Sequence, residues 1–543
     1  MKKIFILITA FLLTSAMFAQ VNVTGDISAN TTWSAANVYT LDGLIFVNDG
    51  VTLTIEEGTV IKGKLQANIT TGDGASALIV RRGGKILAEG TQANPIIFTS
   101  ELDDVNNPND LTKDDRGLWG GVILLGKAVT NQPTTENQIE GIPVTEDAKF
   151  GGTDDNDDSG ILRYVSIRHG GFSISGIVGD EINGLTLGAV GDQTVIEYVE
   201  VIANFDDGYE WFGGTVNSKY LVSAFCGDDG YDWDMGYRGK GQFWFLIQGT
   251  DEAGRGAEMD GGDDNETGTP YATPYVVNAT YIGAGENTSP LPAGDGNDRA
   301  LYFRDNTGGF YYSSIITDFS QTGVDIEDLT SGEDSRARLE AGQLILANNY
   351  WWGFGNGNTL DAIATQDFVR THLIANNNFV QDPQLNNISR DTNLDPRPSP
   401  SSPAATGAVQ PTDPFFTVVP YHGAFDPNSF LWTEGWTALS VYGITEVEES
   451  YVNNIPASFQ LSQNYPNPFN PSTKIVYTVS EATNVNLIVF NILGQQVAQL
   501  VNDFKNVGTY EVTFDAENLP SGLYLYTFEA GNTRITKKMT LLK

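Results

Sequence analysis

A short acidic motif occurs twice in this sequence, and its residue types could bind a metal ion. Asp206-Asp-Gly-Tyr-Glu-Trp211 recurs as Asp228-Asp-Gly-Tyr-Asp-Trp233, at an offset of 22 residues. If the two copies stack in register as neighbouring strands, Asp206 lies beside Asp228 and Asp207 beside Asp229. Like charges about 5 Å apart repel by roughly 1–3 kcal/mol at a surface-like dielectric. A cation, a nearby basic side chain or divergence of the carboxylates into water would relieve that repulsion.

Calcium suits clustered carboxylates and turn carbonyls, so it is the candidate cation. The candidate ligands are Asp206, Asp207, Asp228, Asp229 and Asp232, with Glu210 and Asp234 as further donors. A solvated acidic corner and a catalytic carboxylate cluster are the alternatives. A second acidic segment, Asp154–Gly160, resembles half of a calcium loop. It has Val165 where an EF-hand carries its glutamate, which leaves an irregular calcium loop or a solvated loop. Asp260–Asp264 has the same interpretation.

Aromatic residues follow both acidic turns. Alternation places Tyr209 and Trp211 on one face of a strand, with Tyr231 and Trp233 stacked on them. An inward face would make an aromatic core and an outward face a ladder for sugar rings, and the core is favoured. The pair Trp351-Trp352 is undecided between the same two roles. His169 is interpreted as a hydrogen-bonded turn histidine and Cys226 as a small buried apolar residue.

Repetition predicts the elements that position these residues. Offsets of 22 to 25 fit one solenoid turn of three short strands with glycine corners, so residues 20–445 are predicted to form a right-handed parallel β-helix. Leu53–Gly58 and Leu78–Gly83 match at a period of 25, which would place Glu56 beside Arg81. Eight prolines between 391 and 427 should stop the stacking. The aromatic segment near 415–437 should then cap the open end.

Composition excludes several classes of function. The 543 residues contain 30 Lys+Arg and 68 Asp+Glu, for a formal net charge of −38, which disfavours nucleic-acid binding. The single cysteine permits no intrachain disulfide. Residues 455–543 carry six basic and six acidic residues, so the acidity belongs to the preceding part of the chain.

The two ends of the chain predict export. Residues 1–19 read as a signal peptide, and no later segment is apolar enough to span a bilayer. Residues 446–457 read as a linker, and 458–543 as a small Ig-like β-sandwich. The sandwich strands are predicted at Lys474–Val479, Asn484–Asn491, Gly508–Phe514, Gly522–Glu529 and Arg534–Leu541.

The C-terminal segment resembles the type A sorting domain of the type IX secretion system. The matching stretches are Asn464–Pro471, Asn491–Val497, Leu519–Tyr524 and Lys537–Lys543. The resemblance implies recognition by type IX-like secretion machinery through residues 458–543, followed by attachment to the outer cell surface or release.

The preceding β-helix is similar to bacterial surface proteins related to a spirochaete outer-surface lipoprotein family. The similar stretches are Leu53–Gly63, Ala77–Ser100, Gly117–Gly126, Tyr421–Phe425 and Gly435–Thr437. This resemblance implies a fold and a surface location but no activity. The expected function of the whole chain is that of a secreted binding, adhesion or surface-structural protein, with calcium as the candidate cofactor and a glycan or surface ligand as the partner. The alternative is an enzyme, a surface polysaccharide hydrolase or lyase.

Overall fold

The computed structural model describes most of the chain in two compact units, Met1–Val447 and Glu448–Lys543. The described residues are 19–174, 181–262, 265–293, 296–445, 459–461, 464, 467–479, 483–505, 508–516, 519–531 and 533–543. The predicted signal peptide, apart from Ala19, and the predicted linker 446–457 lie outside the described residues. No helix among the described residues is long and apolar enough to cross a bilayer.

Short strands dominate the first unit. Up to the acidic motifs they are β1 Ala19–Val23, β2 Thr31–Trp33, β3 Asn37–Leu41, β4 Leu44–Val47, β5 Thr52–Ile55, β6 Val60–Gly63, β7 Ala77–Val80, β8 Lys85–Glu89, β9 Ile96–Ser100, β10 Val122–Leu125, β11 Asn137–Gln138, β12 Lys149–Phe150, β13 Gly160–Arg168, β14 Leu185–Gly188 and β15 Val195–Ile202. They continue as β16 Tyr209–Phe212, β17 Asn217–Ala224, β18 Tyr231–Asp234, β19 Lys240–Gln242, β20 Phe245–Ile247, β21 Ala257–Asp260, β22 Tyr275–Val277, β23 Thr280–Ile282, β24 Arg299–Arg304, β25 Gly309–Tyr312, β26 Ile315–Phe319, β27 Thr322–Ile326, β28 Leu344–Ala347, β29 Tyr350–Phe354, β30 Phe379–Val380, β31 Leu385–Asn387 and β32 Asp395–Pro398.

Helices are few and short in the part of the chain that the structure describes. The α-helices are α1 Ser335–Glu340, α2 Leu360–Ile363, α3 Asp367–Ala375 and α4 Ala438–Val441, and the 3-10 helices are Gln66–Asn68, Glu146–Ala148 and Pro403–Ala405. Helices α2 and α3 add the buried residues Ile363, Val369 and Leu373 to the core at the last strands.

The strands form a parallel β-helix with three faces. Sheet 1 has the order β4-β7-β10-β14-β16-β18-β21-β24-β27. Sheet 2 runs β2-β5-β8-β13-β15-β17-β19-β22-β25-β28, and sheet 3 runs β1-β3-β6-β9-β13-β15-β17-β20-β23-β26-β29-β30. The long strands β13, β15 and β17 belong to both sheets 2 and 3. The predicted parallel β-helix is confirmed.

A single left-handed residue bends each long strand from sheet 2 to sheet 3. Tyr164, Tyr198 and Tyr220 have φ angles of 48°, 54° and 57°. A bulky residue pays roughly 1–2 kcal/mol for this conformation. Stacking of the rings offsets the cost, because the Tyr164–Tyr198 and Tyr198–Tyr220 ring centroids are 4.5 and 4.3 Å apart.

The strand pairing confirms that the two acidic motifs stack at an offset of 22 residues. It does not stack Leu53–Gly58 on Leu78–Gly83 at the predicted offset of 25. Tyr209 pairs with Tyr231, in agreement with the repeated motif. Leu53, however, pairs with Ile86, 33 residues later, because the loop after β6 lengthens that coil. Leu78 belongs to sheet 1, so Glu56 does not stack on Arg81. Arg81 instead pairs with Asp26 and Asp147 at 2.8 and 3.1 Å.

The aromatic segment 415–437 lies along the side of the β-helix, which corrects the prediction that it caps the open end. It belongs to an extended stretch, residues 394–445, called the strap here. Strap residues Trp432 and Trp436 pack edge-on against Tyr220 and Tyr164, with ring centroids 5.3 and 5.6 Å apart. These partners belong to interior coils, so the strap covers the outer face of sheet 3. Stacking itself stops at Val380, ahead of the proline-rich stretch.

The second unit consists of two antiparallel sheets. Its strands are β33 Gln460–Leu461, β34 Ser472–Val479, β35 Thr483–Asn491, β36 Gln496–Lys505, β37 Gly508–Asp515, β38 Gly522–Ala530 and β39 Thr533–Leu541. Strands β33-β34-β37 form one sheet, and β36-β35-β38-β39 form the other. Their alternating apolar residues, including Tyr477, Tyr526 and Phe528, share one core, as expected of the predicted small sandwich.

Candidate functional site

Nine carboxylates lie on three consecutive coils at sheet 1, and we call them the carboxylate array. They are Asp206, Asp207, Glu210, Asp228, Asp229, Asp232, Asp234, Glu258 and Asp260. Strands β16, β18 and β21 position them, and the parallel register brings like positions together. Glu210 pairs with Asp232, and Asp232 pairs with Glu258, on the outer face of the sheet. The aromatic residues between them point inward.

The inward residues anchor these strands. Tyr209, Trp211, Tyr231 and Trp233 are all fully buried. Trp211 and Tyr231 stack on the indole of Trp244 at centroid distances of 5.1 and 4.7 Å. The tyrosine hydroxyls donate to backbone carbonyls, for example from Tyr231 to Phe245 at 2.8 Å. The aromatic residues therefore form a core, and their rigid packing fixes the carboxylates on the opposite face.

The second aspartate of each Asp-Asp-Gly turn links one coil to the next. Asp207 Oδ1 accepts a hydrogen bond from the Asp229 backbone N–H at 2.8 Å. Asp229 Oδ1 accepts one from the Arg255 backbone N–H. Only a short acceptor side chain can reach the next turn in this way, which explains aspartate at both positions.

Two groups of three residues bring carboxylate oxygens close enough to share a metal ion. Asp206, Asp207 and Asp228 form the first group, in which the oxygens lie within 4.8 Å of one another. Asp229 and Asp232 form the second group together with Glu258, with oxygens equally close. All five sequence-predicted ligands thus belong to one of the two groups. Glu258 is the ligand candidate that the sequence analysis missed.

The array is electrostatically strained without a cation. Burial, followed by repulsion from Glu181 and Glu140, raises the pKa of Asp206 to about 7. Burial and the adjacent Asp228 raise the pKa of Asp229 to about 7. Burial and repulsion from Asp229 raise the pKa of Glu258 to about 8. Ionising these groups near neutral pH therefore costs free energy unless positive charge is supplied.

Two arginines supply positive charge at one end of the array. Arg255 Nη1 lies 2.6 Å from Glu258 Oε2 and 3.5 Å from Asp229 Oδ2. Arg304 Nη2 lies 2.7 Å from Asp260 Oδ2. The pKa of Arg304 is raised, because its hydrogen bond to Asp260 outweighs its burial. The Coulomb attraction of Asp229 and Glu258 likewise outweighs burial and raises the pKa of Arg255.

Buried oxygen atoms beside the array also lack partners among the described residues. Asp232 Oδ1 and Asn183 Oδ1 accept no hydrogen bond from the described part of the chain. Asn183 is only 1% exposed, and its Nδ2 donates to Glu210 Oε2. Buried acceptors are usually satisfied, so both atoms are available to accept a hydrogen bond or to contact a cation. Amide and carboxylate oxygens are ligands that calcium accepts.

The other sequence-predicted candidates have structural partners. In the loop Asp154–Gly160, Asp155 Oδ1 is 2.9 Å from Arg238 Nη2, and Asp158 pairs with Lys85. Asp260 pairs with Arg304, and residues 263 and 264 lie outside the described residues.

The histidine and cysteine singled out in the sequence are buried. His169 is fully buried, with Nδ1 2.7 Å from the Asp115 carbonyl oxygen and Nε2 2.9 Å from the Tyr442 hydroxyl oxygen. Burial lowers the pKa of His169, which keeps it neutral. Cys226 is 3% exposed, and burial raises the pKa of its thiol. Both residues match their predicted structural roles.

Comparison with known families identifies both parts of the chain. Residues 25–393, more than half of the chain, match the pectate-lyase like beta helix domain. The chain belongs to this family. Residues 463–541 match the secretion system C-terminal sorting domain. No curated protein matched the chain.

The pectate-lyase-like β-helix therefore carries a type IX sorting domain, which indicates export to the cell surface or the extracellular space. The relation to spirochaete lipoproteins stays a prediction. Within the pectate-lyase-like β-helix, the sequence analysis missed Glu258 because the coil that carries it departs from the repeated Asp-Asp-Gly-Tyr motif. Arg255-Gly-Ala-Glu258 has alanine where the other rungs have tyrosine, and it follows Asp229 by 26 residues rather than 22.

Proposed function

We propose that the exported β-helix binds calcium at the carboxylate array and acts as a binding or surface-structural protein. One observation carries this proposal: two trios of carboxylate oxygens, on adjacent coils, each lie within 4.8 Å. Calcium takes six to eight oxygen ligands from carboxylates, amides, carbonyls and water. Asp206, Asp207 and Asp228 would hold one ion, and Asp229, Asp232 and Glu258 a second.

The charge balance supports a resident cation. Nine carboxylates occupy the array, and the ion pairs described for Arg255 and Arg304 within it go to Asp229, Glu258 and Asp260. A bound divalent cation would lower the carboxylate pKa values, since an opposite charge favours the ionised form. It would also satisfy the lone pair of Asp232 Oδ1, a member of the second trio. Calcium bound there would tie three coils together.

The side chains around the array support binding rather than elimination chemistry. A lyase needs a base that removes a proton from its sugar substrate. Arg255 and Arg304 ion-pair with the array, and the pKa of each is raised. Both therefore stay protonated and serve as structural counterions. The four aromatic residues of the repeated motif point inward, so they do not form a ladder of exposed rings on which an extended sugar chain would stack.

Polysaccharide hydrolysis is the second candidate function, and one observation favours it. A glycoside hydrolase needs a carboxylic acid that remains protonated near neutral pH beside an ionised carboxylate. Glu258, with a pKa raised to about 8 by burial and by Asp229, could serve as that acid. Calcium binding would remove this property, because the ion would hold Glu258 ionised.

Calorimetric titration of the full chain with calcium tests the proposal. We expect saturable calcium binding to the wild-type protein. Binding should weaken at least about tenfold in a variant carrying Asp232→Asn and Glu258→Gln, since a cation loses affinity with each anionic ligand removed. The matched control is Asp49→Asn, which neutralises a carboxylate that is 78% exposed. Equal binding by all three proteins, or no binding, contradicts the proposal.

A parallel assay separates the two functions. The full chain is incubated with neutral and acidic polysaccharides, with and without calcium, and new reducing ends and unsaturated products are measured. The binding proposal predicts neither product. Reducing ends that disappear in Glu258→Gln but persist in Asp49→Asn would establish hydrolysis instead.

A further inference from the structure

Trp352 forms one side of a cavity that lies away from the carboxylate array, at the last coil of sheet 3. The cavity has a volume of about 170 Å³. Its walls include Trp352, Glu286, Asp382, Pro383, Leu385 and Ile388. An indole, three apolar side chains and three acidic residues, counting Asp318, therefore line a space of the size of a small ring.

The end of the solenoid exposes this indole. Trp351 points into the core and is fully buried, whereas Trp352 points outward and is partly exposed. Below it in the sheet, Trp352 pairs with Thr317. Strand β30 pairs with Tyr350 and Trp351 but stops at Val380, so no rung covers Trp352 from above. The chain then leaves the sheet through Asp382 and Pro383, which close one side of the cavity.

Of the acidic residues that line the cavity, Asp318 is held by partners within the chain, whereas Glu286 and Asp382 can accept further hydrogen bonds. Asp318 is fixed, since its Oδ2 is 2.7 Å from Arg390 Nη2 and its Oδ1 accepts the Glu286 backbone N–H at 2.9 Å. Among the described residues, Glu286 Oε1 accepts one long hydrogen bond, at 3.3 Å from the side-chain amide of its neighbour Asn287. Asp382 Oδ1 accepts a backbone N–H at 2.7 Å and its side chain is exposed. Both carboxylates keep lone pairs that can accept hydrogen bonds.

We propose that this cavity binds a neutral sugar ring of a glycan. The flat indole of Trp352 suits the apolar C–H face of a pyranose, with Pro383, Leu385 and Ile388 enclosing the ring edge. Glu286 and Asp382 would accept hydrogen bonds from sugar hydroxyls. The same two carboxylates would repel an acidic sugar, as would the net charge of −38. The site does not depend on calcium in the array.

Glycan binding by the full chain tests the proposal. The probes are immobilised neutral oligosaccharides ending in common hexoses, with chitosan oligosaccharides and polygalacturonate as cationic and anionic comparisons. Wild type should bind at least one neutral probe, with a dissociation constant insensitive to salt. Trp352→Ala should raise that constant about tenfold or more, whereas Trp352→Phe, which keeps an aromatic face, should raise it less than about threefold.

Two further variants keep the result interpretable. Phe430→Ala removes an aromatic ring that is 77% exposed outside the cavity, and it should leave binding unchanged. Glu286→Gln keeps an acceptor oxygen and should change neutral-sugar binding less than about threefold. Unchanged binding in Trp352→Ala, or no bound neutral probe, overturns the proposal. The proposal is also overturned if the protein binds chitosan oligosaccharides alone, if that binding depends steeply on salt, and if Glu286→Gln abolishes it. This result would assign an amino-sugar site instead. Removing calcium should leave glycan binding at the Trp352 cavity unchanged. Failure of this proposal can therefore be distinguished from failure of the calcium proposal for the carboxylate array.

Discussion

In the calcium-free protein, the thermal stability is expected to fall as the pH rises from about 5.5 to about 8. The cause is the carboxylate array. Burial and Asp228 raise the pKa of Asp229 from 3.8 to about 7 in the folded chain. Between these two values the folded state holds a proton that the unfolded state has lost. The free energy of unfolding must therefore decrease as the pH rises through this window.

The size of the effect follows from the same pKa values. Each pKa unit corresponds to about 1.4 kcal/mol, so raising the pH from about 5.5 to about 7, where Asp229 ionises, costs the folded state about 2 kcal/mol. For a cooperative unit of about 400 residues, this corresponds to a change in melting temperature of about 2 °C. Asp206 and Asp260, whose pKa values burial also raises to about 7, act in the same direction.

Melting curves recorded by circular dichroism on the full chain check this prediction. Calcium-stripped protein should melt at least about 2 °C higher at about pH 5.5 than at about pH 8. Excess calcium should raise the melting temperature at the higher pH and remove this difference, because the bound ion favours the ionised carboxylates. A stripped protein that is equally stable at both pH values, or that calcium does not stabilise, would show that the array carries no such strain.

Other parts of the structure give three further predictions. Trp233→Ala empties a fully buried site and should reduce the free energy of unfolding by about 3–5 kcal/mol in denaturant titrations, against less than about 0.5 kcal/mol for the exposed Phe430→Ala. Glu200 is fully buried and accepts a hydrogen bond from the backbone N–H of Ala438 at 2.7 Å. Glu200→Ala should therefore free the strap and speed its proteolytic cleavage, and equal cleavage rates in the two proteins would refute this anchor. Deleting residues 458–543 should abolish surface delivery in fractionated cells, and delivery of the truncated chain would contradict a sorting role.

The repeated motif was predictable from the sequence because in-register stacking copies residue types from coil to coil. The offset between Tyr209 and Tyr231 gave the register that the structure shows, and the alternation of residues gave the aromatic core. The strands of the C-terminal sandwich were predictable for the same reason, since their alternation and turn residues are local. Strand β36, Gln496–Lys505, was missed because its sequence mixes polar and apolar residues without that alternation.

Features that depend on distant segments were not predictable. The loop after β6 shifts Leu53 onto Ile86, and local similarity to Leu78 concealed that shift. The aromatic segment 415–437 was expected at the open end. The docking of the strap that contains it depends on the outer face of sheet 3 and on Glu200, which no local pattern reveals. Glu258 completes the second trio of carboxylates from a rung whose motif had diverged.

Crystals of the full chain grown with calcium offer the most direct test of the central claim. An anomalous difference map identifies bound calcium without assumptions about its ligands. The account predicts one peak among the carboxylates of Asp206, Asp207 and Asp228 and a second among those of Asp229, Asp232 and Glu258. No anomalous peak at either trio, with the carboxylates hydrogen-bonded to one another or to water instead, would contradict it.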